Sequence, residues 1–249
     1  MPAIAFAHIR RSRNVGDLMC CPGDYFDFGD AAIFDVRDEI PQCDAVIYGG
    51  GAIEQRLRVH GIHRNVQARV KAAWGIGTSV HGKTAAPEVV QDMDLVGVRE
   101  LGRAGTVYTP CVSCMHPIFD EQFERRHEAV LFFNADKKIP RPEVRGLPEL
   151  RNVAGFEETV EFLASGDVVV TNSFHGVYWA TLLGRRVVCL PYSSKFYGFR
   201  FPPAYATAET ALEAIAAAPA HPEALADCRR ESRAFHKRVA DLIGAPVGT

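Results

Sequence analysis

The chain lacks the features that mark two large classes of protein. It has 249 residues, and no apolar run approaches the roughly 18 residues that indicate a membrane-spanning helix. It also lacks a basic excess, because 28 Lys and Arg face 30 Asp and Glu, for a formal net charge of −2. Proteins that bind nucleic acid usually carry clustered positive charge. We therefore expect neither a membrane span nor a nucleic-acid partner.

The seven cysteines lack the spacing of a disulfide framework or of a complete metal site. Their scatter is typical of a reduced, cytoplasmic protein with buried thiols. Cys111-Val-Ser-Cys114, followed by His116, has the spacing of half a zinc site, but no second Cys/His pair stands at usable spacing. We expect these residues to be structural and the protein to hold no metal.

Apolar strand-like runs alternate with helix-like stretches, which predicts an α/β fold with largely parallel sheets. Helices are predicted over most of 52–73, after His175, and from 222 to 242; the alanine-rich stretch 204–220 favours helix over linker. The strand candidates are short and rich in apolar or β-branched residues: Ile4–Ile9, Ala45–Tyr48, 73–76, Leu95–Val98, Thr106–Thr109, Ala129–Asn134, Asp167–Thr171 and Val187–Leu190.

A charged segment interrupts this alternation near the middle of the chain. It runs from Asp120 to Glu128 and follows Pro117, a composition typical of a domain boundary. We therefore predict an N-terminal half, residues 1–120, and a C-terminal half with the terminal helices, residues 121–249.

Three polar or glycine-bearing turns follow predicted strands and precede predicted helices. They are the first turn (Asn14–Asp17), the glycine turn (Gly49–Gly51) and the histidine turn (Thr171–Gly176). Ligands of open parallel sheets bind beyond the carboxyl ends of the strands, and helix starts there favour a phosphate or carboxylate. None of the turns has the spacing of a P-loop or a dinucleotide motif. Each one alone could instead be a helix cap or a tight turn.

The histidine turn carries the candidate acid or base. His175 stands at a predicted helix start, directly after a buried strand, where an imidazole could exchange a proton with a bound hydroxyl. Arg99 and Lys195 also follow strands and could neutralise a phosphate or a carboxylate. The alternatives are a structural histidine, an Arg99–Glu100 ion pair and a solvated lysine.

Taken together, these motifs resemble the polysaccharide pyruvyl transferase family. The resemblance is spread over about residues 4–200 and is strongest at Asp167–Gly176. The other residues that match the family are the first turn, the glycine turn, Gly97–Glu100, Ala180, Leu182, Leu183, Gly184, Pro191 and Ser193–Phe196.

The resemblance implies two Rossmann-like halves, similar to the glycosyltransferase B arrangement, with the site between them. It implies transfer of pyruvate from phosphoenolpyruvate to two hydroxyls of a sugar, which makes a cyclic ketal without a cofactor. The acceptor would be an exopolysaccharide or its lipid-linked oligosaccharide precursor. A lipid-linked acceptor would bring this cytoplasmic protein into peripheral contact with the inner membrane face.

The resemblance also assigns roles. His175 matches the family's catalytic histidine, and we predict that Asp17 assists it by orienting a group or accepting a proton. The predicted donor-binding residues, which include both basic side chains, are Asn14, Gly16, Gly49, Gly50, Gly51, Arg99, Asn172, Ser173 and Lys195.

One residue departs from the family pattern. Many members have arginine two residues before the histidine, where this chain has Ser173. Two other functions stay open. One is a glycosyltransferase that uses a nucleotide sugar, which the analogy of fold favours. The other is a non-catalytic module that binds an anion, which the absence of arginine at position 173 keeps open.

Overall fold

The computed structural model describes residues 4–77, 91–135, 142 and 145–244, and its chain forms two compact units. The first unit comprises the chain up to Ser12, Asp17–Met115 and the chain from Cys228 onward. The second unit comprises Arg13–Gly16 and His116–Asp227. Each unit is built on its own parallel sheet.

The sheet of the first unit has six parallel strands among the described residues. This unit contains helix α2 (Glu54–His60) and the last two residues of helix α1 (Val15–Leu18). The strands are β1 (Ile4–His8), β2 (Ala31–Asp35), β3 (Cys43–Tyr48), β4 (Ala68–Ile76), β5 (Leu95–Val98) and β6 (Val107–Tyr108). Their spatial order is β2-β1-β3-β4-β5-β6, so β3 and β4 are neighbours at the centre.

Alternate residues of the central strands face two separate apolar clusters. Val46 and Tyr48 pack in one cluster with Leu57 of α2, whereas Ile47 packs in the other with Trp74. Successive side chains of a strand point to opposite faces, so β3 is buried on both sides. Helix α2 ends where Gly61 adopts φ +55° and its N–H donates to the Leu57 carbonyl.

The sheet of the second unit has five parallel strands among the described residues. Its helices are α3 (Phe156–Ser165) and α4 (Phe174–Leu182). The strands are β7 (His127–Phe133), β8 (Glu149–Arg151), β9 (Gly166–Thr171), β10 (Arg186–Cys189) and β11 (Ala204–Tyr205). Their order is β11-β10-β9-β7-β8, and the three valines at 168–170 of central β9 are fully buried.

The chain ends in a long helix, α5 (Ala224–Ile243), that packs on the first sheet. Phe235, Val239 and Ile243 recur at helical spacing and join the cluster that contains Trp74. The helix predicted over 222–242 is therefore confirmed, and its part from Cys228 onward belongs to the first unit. The boundary near residue 120 stays a prediction.

One predicted helix is too long and another is wrong. The helix predicted over most of 52–73 is present only at Glu54–His60, and residues 68–73 belong to β4, in which Val70, Ala72 and Trp74 alternate into one cluster as a strand requires. The alanine-rich stretch 204–220 begins with β11, and only Glu213–Ile215 forms a short 3-10 helix there. Alanine favours a helix locally, but pairing with β10 decides the start of this segment.

The predicted fold class is confirmed, since both sheets are entirely parallel and carry helices. Within the described residues no helix combines the length and apolar character needed to cross a membrane. Short 3-10 helices also lie at Pro22–Asp24, Val112–Met115, Pro117–Asp120 and Ser194–Gly198.

Candidate functional site

In the first unit, Arg99 is held at the carboxyl edge of the sheet. It follows β5 directly, is 4% exposed, and its Nε lies 3.4 Å from Glu100 Oε1. The guanidinium lies so close to the Gly77 α-carbon that a Cβ there would overlap it. Glycine at 77 therefore leaves the space that the Arg99 guanidinium occupies.

The glycine turn, at the end of β3, is packed tightly by backbone groups. Gly49 N–H donates to the Ala7 carbonyl at 2.9 Å, and Gly50 N–H donates to the Cys20 carbonyl at 3.0 Å. A Cβ at Gly49 would lie 2.8 Å from that Cys20 oxygen. Glycine is thus required here for close approach, and these two amides are already engaged within the unit.

Asp17 lies beside the third residue of the glycine turn. A Cβ built on Gly51 would be 3.5 Å from Asp17 Oδ1, and Ser12 Oγ donates to Asp17 Oδ2 at 3.0 Å. Gly51 itself has φ +79°, and its carbonyl accepts from Gly77 N–H at 2.8 Å. Asp17, the glycine turn and Arg99 therefore lie along one continuous edge of the first unit.

In the second unit, His175 occupies the first turn of α4. The Ser173 hydroxyl caps this helix by accepting from Gly176 N–H at 3.3 Å, which sets the helix start after β9. The imidazole is 5% exposed and its ring centroid lies 5.0 Å from that of Trp179. A Cβ on Gly16 would be 2.5 Å from His175 Cγ, so Gly16 provides the space that the ring occupies.

Asparagine side chains tie the neighbouring loops of the second unit together. Asn14 Oδ1 accepts from Gly16 N–H at 3.2 Å and from Asn152 Nδ2 at 2.9 Å. Asn172 Oδ1 accepts from the Asn134 N–H at 2.7 Å. These bonds position Asn14, Gly16 and Asn172 around the strand ends that carry the histidine turn.

Lys195 lies in the 3-10 turn after β10 and is held by aromatic rings. Its Nζ donates to Tyr192 Oη at 2.9 Å and lies 4.7 Å from the Tyr192 ring centroid and 5.0 Å from that of Phe196. An ammonium at such distances gains from cation–π attraction. The predicted lysine is thus oriented by its neighbours and is partly buried.

Sequence reasoning missed a cavity of about 570 Å³ in the second unit. Tyr192, Tyr197 and Tyr205 line it, with the segment Ala206–Thr210 on its other side. The rings of Tyr197 and Tyr205 are 5.0 Å apart, and burial raises the pKa of Tyr205 to about 12. The three tyrosines come from the segment after β10 and from β11, and no motif of the sequence joins them.

The cysteines of the predicted half zinc site have separate partners. Cys111 Sγ lies 3.5 Å from Cys20 Sγ, whereas Cys114 Sγ lies 3.4 Å from Ser232 Oγ. The hydrogen bond with Cys111, followed by burial, raises the pKa of the Cys20 thiol. The His116 side chain accepts from Ile118 N–H and caps a 3-10 turn.

Comparison with known families finds a match in the second unit. The model of the family named "Polysaccharide pyruvyl transferase" matches residues 119–194. The resemblance inferred from the sequence is therefore confirmed over this segment, which contains the whole histidine turn. Lys195 stands one residue beyond it, and the first turn, the glycine turn and Arg99 lie outside it.

Comparisons with whole proteins add two remote structural likenesses. No curated protein matches this chain. A functionally uncharacterised protein of Klebsiella pneumoniae subsp. pneumoniae is 15% identical with a TM-score of 0.45, over 66% of this chain and 73% of that chain. The glycotransferase of kitacinnamycin is 14% identical with a TM-score of 0.49, over 98% and 99% of the respective chains.

Proposed function

We propose that this protein is a pyruvyl transferase that moves pyruvate from phosphoenolpyruvate to two hydroxyls of a sugar. The observation that carries the proposal is the family match over residues 119–194, whose histidine turn presents a buried imidazole at a helix start. The product is a cyclic ketal, and inorganic phosphate is released.

The chemistry requires an acid, a base and fixed positive charge. Protonation of the donor's methylene carbon makes the adjacent carbon electrophilic, and a sugar hydroxyl adds there while losing its proton. Phosphate then leaves, and the second hydroxyl closes the ring. One hydroxyl proton ends on the new methyl group and the other on phosphate, so no redox cofactor is needed.

His175 is the acid–base residue in this proposal. The Ser173 cap sets the start of the helix that carries His175, and Gly16 leaves the space that the ring occupies. Asp17 assists by orienting a hydroxyl or accepting its proton. The Ser12 hydroxyl already fixes one oxygen of that carboxylate.

Arg99 and Lys195 neutralise the phosphate and carboxylate of the donor. Their support is their placement at strand ends and their immobilisation, by Gly77 and Glu100 for the arginine and by Tyr192 for the lysine. The remaining donor-binding residues shape the edges on which these charges stand: Asn14, Gly16, Gly49, Gly50, Gly51, Asn172 and Ser173.

The acceptor sugar occupies the tyrosine-lined cavity of the second unit. Aromatic faces pack against the apolar C–H faces of sugars, while the phenolic hydroxyls offer hydrogen bonds. The Tyr197 side chain is 64% exposed, so its ring face is accessible to a bound sugar. The acceptor belongs to an exopolysaccharide or to its lipid-linked precursor, which places the reaction in the cytoplasm or at the inner membrane face.

An acceptor screen tests the proposal. The protein is incubated with phosphoenolpyruvate and a panel of sugars and oligosaccharides, and free phosphate and the mass of each sugar are measured. We expect phosphate release that depends on one acceptor, together with a pyruvate ketal on that acceptor. Thermal stabilisation by nucleotide sugars but not by phosphoenolpyruvate would instead favour a glycosyltransferase.

Tight donor binding without turnover on any acceptor would favour a non-catalytic anion-binding module. Tyr197→Ala sharpens the acceptor assignment, because it removes an exposed ring without opening the core. We expect a higher KM for the sugar and an unchanged KM for phosphoenolpyruvate. Leu212→Ala, which removes an exposed side chain of the same unit elsewhere, is the matched control.

A further inference from the structure

Three potential metal ligands of different chemical type converge in the first unit. They are His8 at the end of β1, Cys21, and Asp24 in the following 3-10 turn. One ligand atom from each of the three lies within 4.8 Å of the other two. A tetrahedral zinc ion with bonds of about 2.0–2.3 Å holds its ligand atoms roughly 3.5 Å apart. Modest side-chain rotations would bring the three ligand atoms to that separation.

The histidine of this cluster has an unsatisfied ring nitrogen. His8 is 4% exposed, and its Nδ1 has no hydrogen-bond partner within the described part of the chain. A buried polar atom left unsatisfied destabilises the folded protein, and a ligand bound at that nitrogen would remove this cost.

The surroundings of Cys21 suit a metal-bound sulfur. Cys21 is 0% exposed, and the Asp24 N–H donates to its backbone carbonyl at 3.2 Å, which ties the cysteine to the turn that carries Asp24. A thiol that binds zinc does so as a thiolate, so the metal must displace its proton on binding.

Asp24 gives the cluster access to solvent. It is exposed, unlike His8 and Cys21, and it lines a surface cavity of about 380 Å³ together with Asp27 and Gly29. A carboxylate at the rim adds a second negative charge to that of a thiolate, so the donor set matches a divalent cation in charge.

We propose that His8, Cys21 and Asp24 form a binding site for a zinc ion. A nitrogen, a sulfur and an oxygen donor are the set that zinc accepts, and three protein ligands leave the fourth tetrahedral position for water. Binding converts the Cys21 thiol to a zinc thiolate and releases its proton to the buffer. The sequence suggests no such site, because the fold assembles this cluster, whereas the spacing typical of zinc ligands occurs at Cys111 and Cys114.

Cobalt(II) substitution provides the test, because a thiolate ligand gives cobalt an intense near-ultraviolet charge-transfer band. The full chain is treated with a chelator under reducing conditions and titrated with Co²⁺, and bound Zn²⁺ is counted separately by elemental analysis after dialysis. We expect about one ion per chain and a charge-transfer band that saturates at that ratio.

Matched variants assign the ligands. Cys21→Ser should abolish the charge-transfer band, whereas Cys43→Ser, at a half-buried cysteine of the same unit, should retain it. Asp24→Asn should weaken binding by at least about tenfold, whereas Asp27→Asn, in the same cavity, should not. Because Asp24 is exposed, its variant tests the proposal even if Cys21→Ser fails to fold.

Three results would overturn the site. The first is a wild-type protein that binds no Co²⁺ or binds it without a thiolate band. The second is a band that survives in folded Cys21→Ser, and the third is an affinity that Asp24→Asn leaves unchanged. None of these results bears on the proposed transfer reaction, since no assigned donor or acceptor residue is altered.

Discussion

The glycine turn and the histidine turn occupy equivalent places, each at the carboxyl end of a central strand, yet they are built in opposite ways. In the glycine turn the backbone is crowded, and the amides of Gly49 and Gly50 donate to neighbouring carbonyls. In the histidine turn the side chains dominate, since Ser173 caps the helix and His175 fills the space beside Gly16.

The difference teaches that glycine in a strand-end turn does not by itself indicate an anion site. Gly49 and Gly50 allow strands and loops to approach, and their missing side chains are a packing requirement. At the histidine turn the missing side chain belongs to another segment, at Gly16, and it makes room for a reactive group. We therefore expect changes at the histidine turn to affect activity, and changes at the glycine turn to affect stability.

Replacing the imidazole should have the largest effect. We expect His175→Gln to lower phosphate release by about 10²–10⁴-fold, the usual contribution of a positioned acid or base, with little loss of stability. His221→Gln, a hydrogen-bonded histidine elsewhere in the second unit, is the control. Wild-type turnover in a folded His175→Gln protein would show that the histidine turn is structural too, and the contrast between the turns would disappear.

Displacing the imidazole should have a smaller effect than removing it. A Cβ in Gly16→Ala would overlap the His175 ring, and misplacing a catalytic group by about 1 Å can cost roughly 10²-fold in rate. Gly155→Ala is the matched control, since a Cβ there meets nothing within 4 Å. The measurement is kcat with phosphoenolpyruvate and acceptor. Equal kcat for the two alanine variants would contradict the role given to Gly16.

Adding a side chain to the glycine turn should mainly lower the free energy of unfolding. Gly49→Ala places a Cβ 2.8 Å from the Cys20 carbonyl oxygen and 3.0 Å from His8 Cβ, so backbone must shift. Overpacking of this kind costs about 1–3 kcal/mol, which urea unfolding measures directly. If the Gly49→Ala protein were as stable as the Gly155→Ala protein, the structural role given to the glycine turn would be contradicted.

The sequence predicted much of the fold because most strands are short, apolar and β-branched. The run at Val168–Val170 predicts a buried strand without ambiguity, and the helical spacing of Phe235 and Val239 predicts α5. Weaker segments failed for a physical reason. Strand β8 (Glu149–Arg151) is short and polar, and it is a strand only because β7 lies beside it.

The candidate site was predictable as residues but not as contacts. The turn after β9 marks His175, because polar residues abruptly follow a buried strand. Nothing local in the sequence shows that Gly16 supports this ring, or that Gly77 supports Arg99, since those contacts depend on how distant segments fold together. The tyrosine-lined cavity was missed because its residues come from separate elements. Catalytic and donor-binding roles stay predictions until variants are assayed.

The smallest expected effect is on the stability of the first unit at acid pH. It arises at a histidine of α5. His236 of that helix is 8% exposed, and its ring stacks on Phe26 at a centroid distance of 4.4 Å. Burial lowers the pKa of His236 below its ordinary value of 6.5. As pH falls, the unfolded chain takes up this proton before the folded protein does, so the histidine reduces stability on the acid side.

We expect His236→Phe, which keeps a stacking ring and removes the titrating group, to flatten the fall in unfolding free energy between about pH 7 and pH 5. Urea midpoints across this range give the slope, and His60→Gln, at an exposed histidine of the same unit, controls for the loss of one imidazole. If the unfolding free energy of His236→Phe falls with pH as steeply as that of His60→Gln, protonation of His236 is not coupled to unfolding. The acid sensitivity of the first unit would then have to come from other groups.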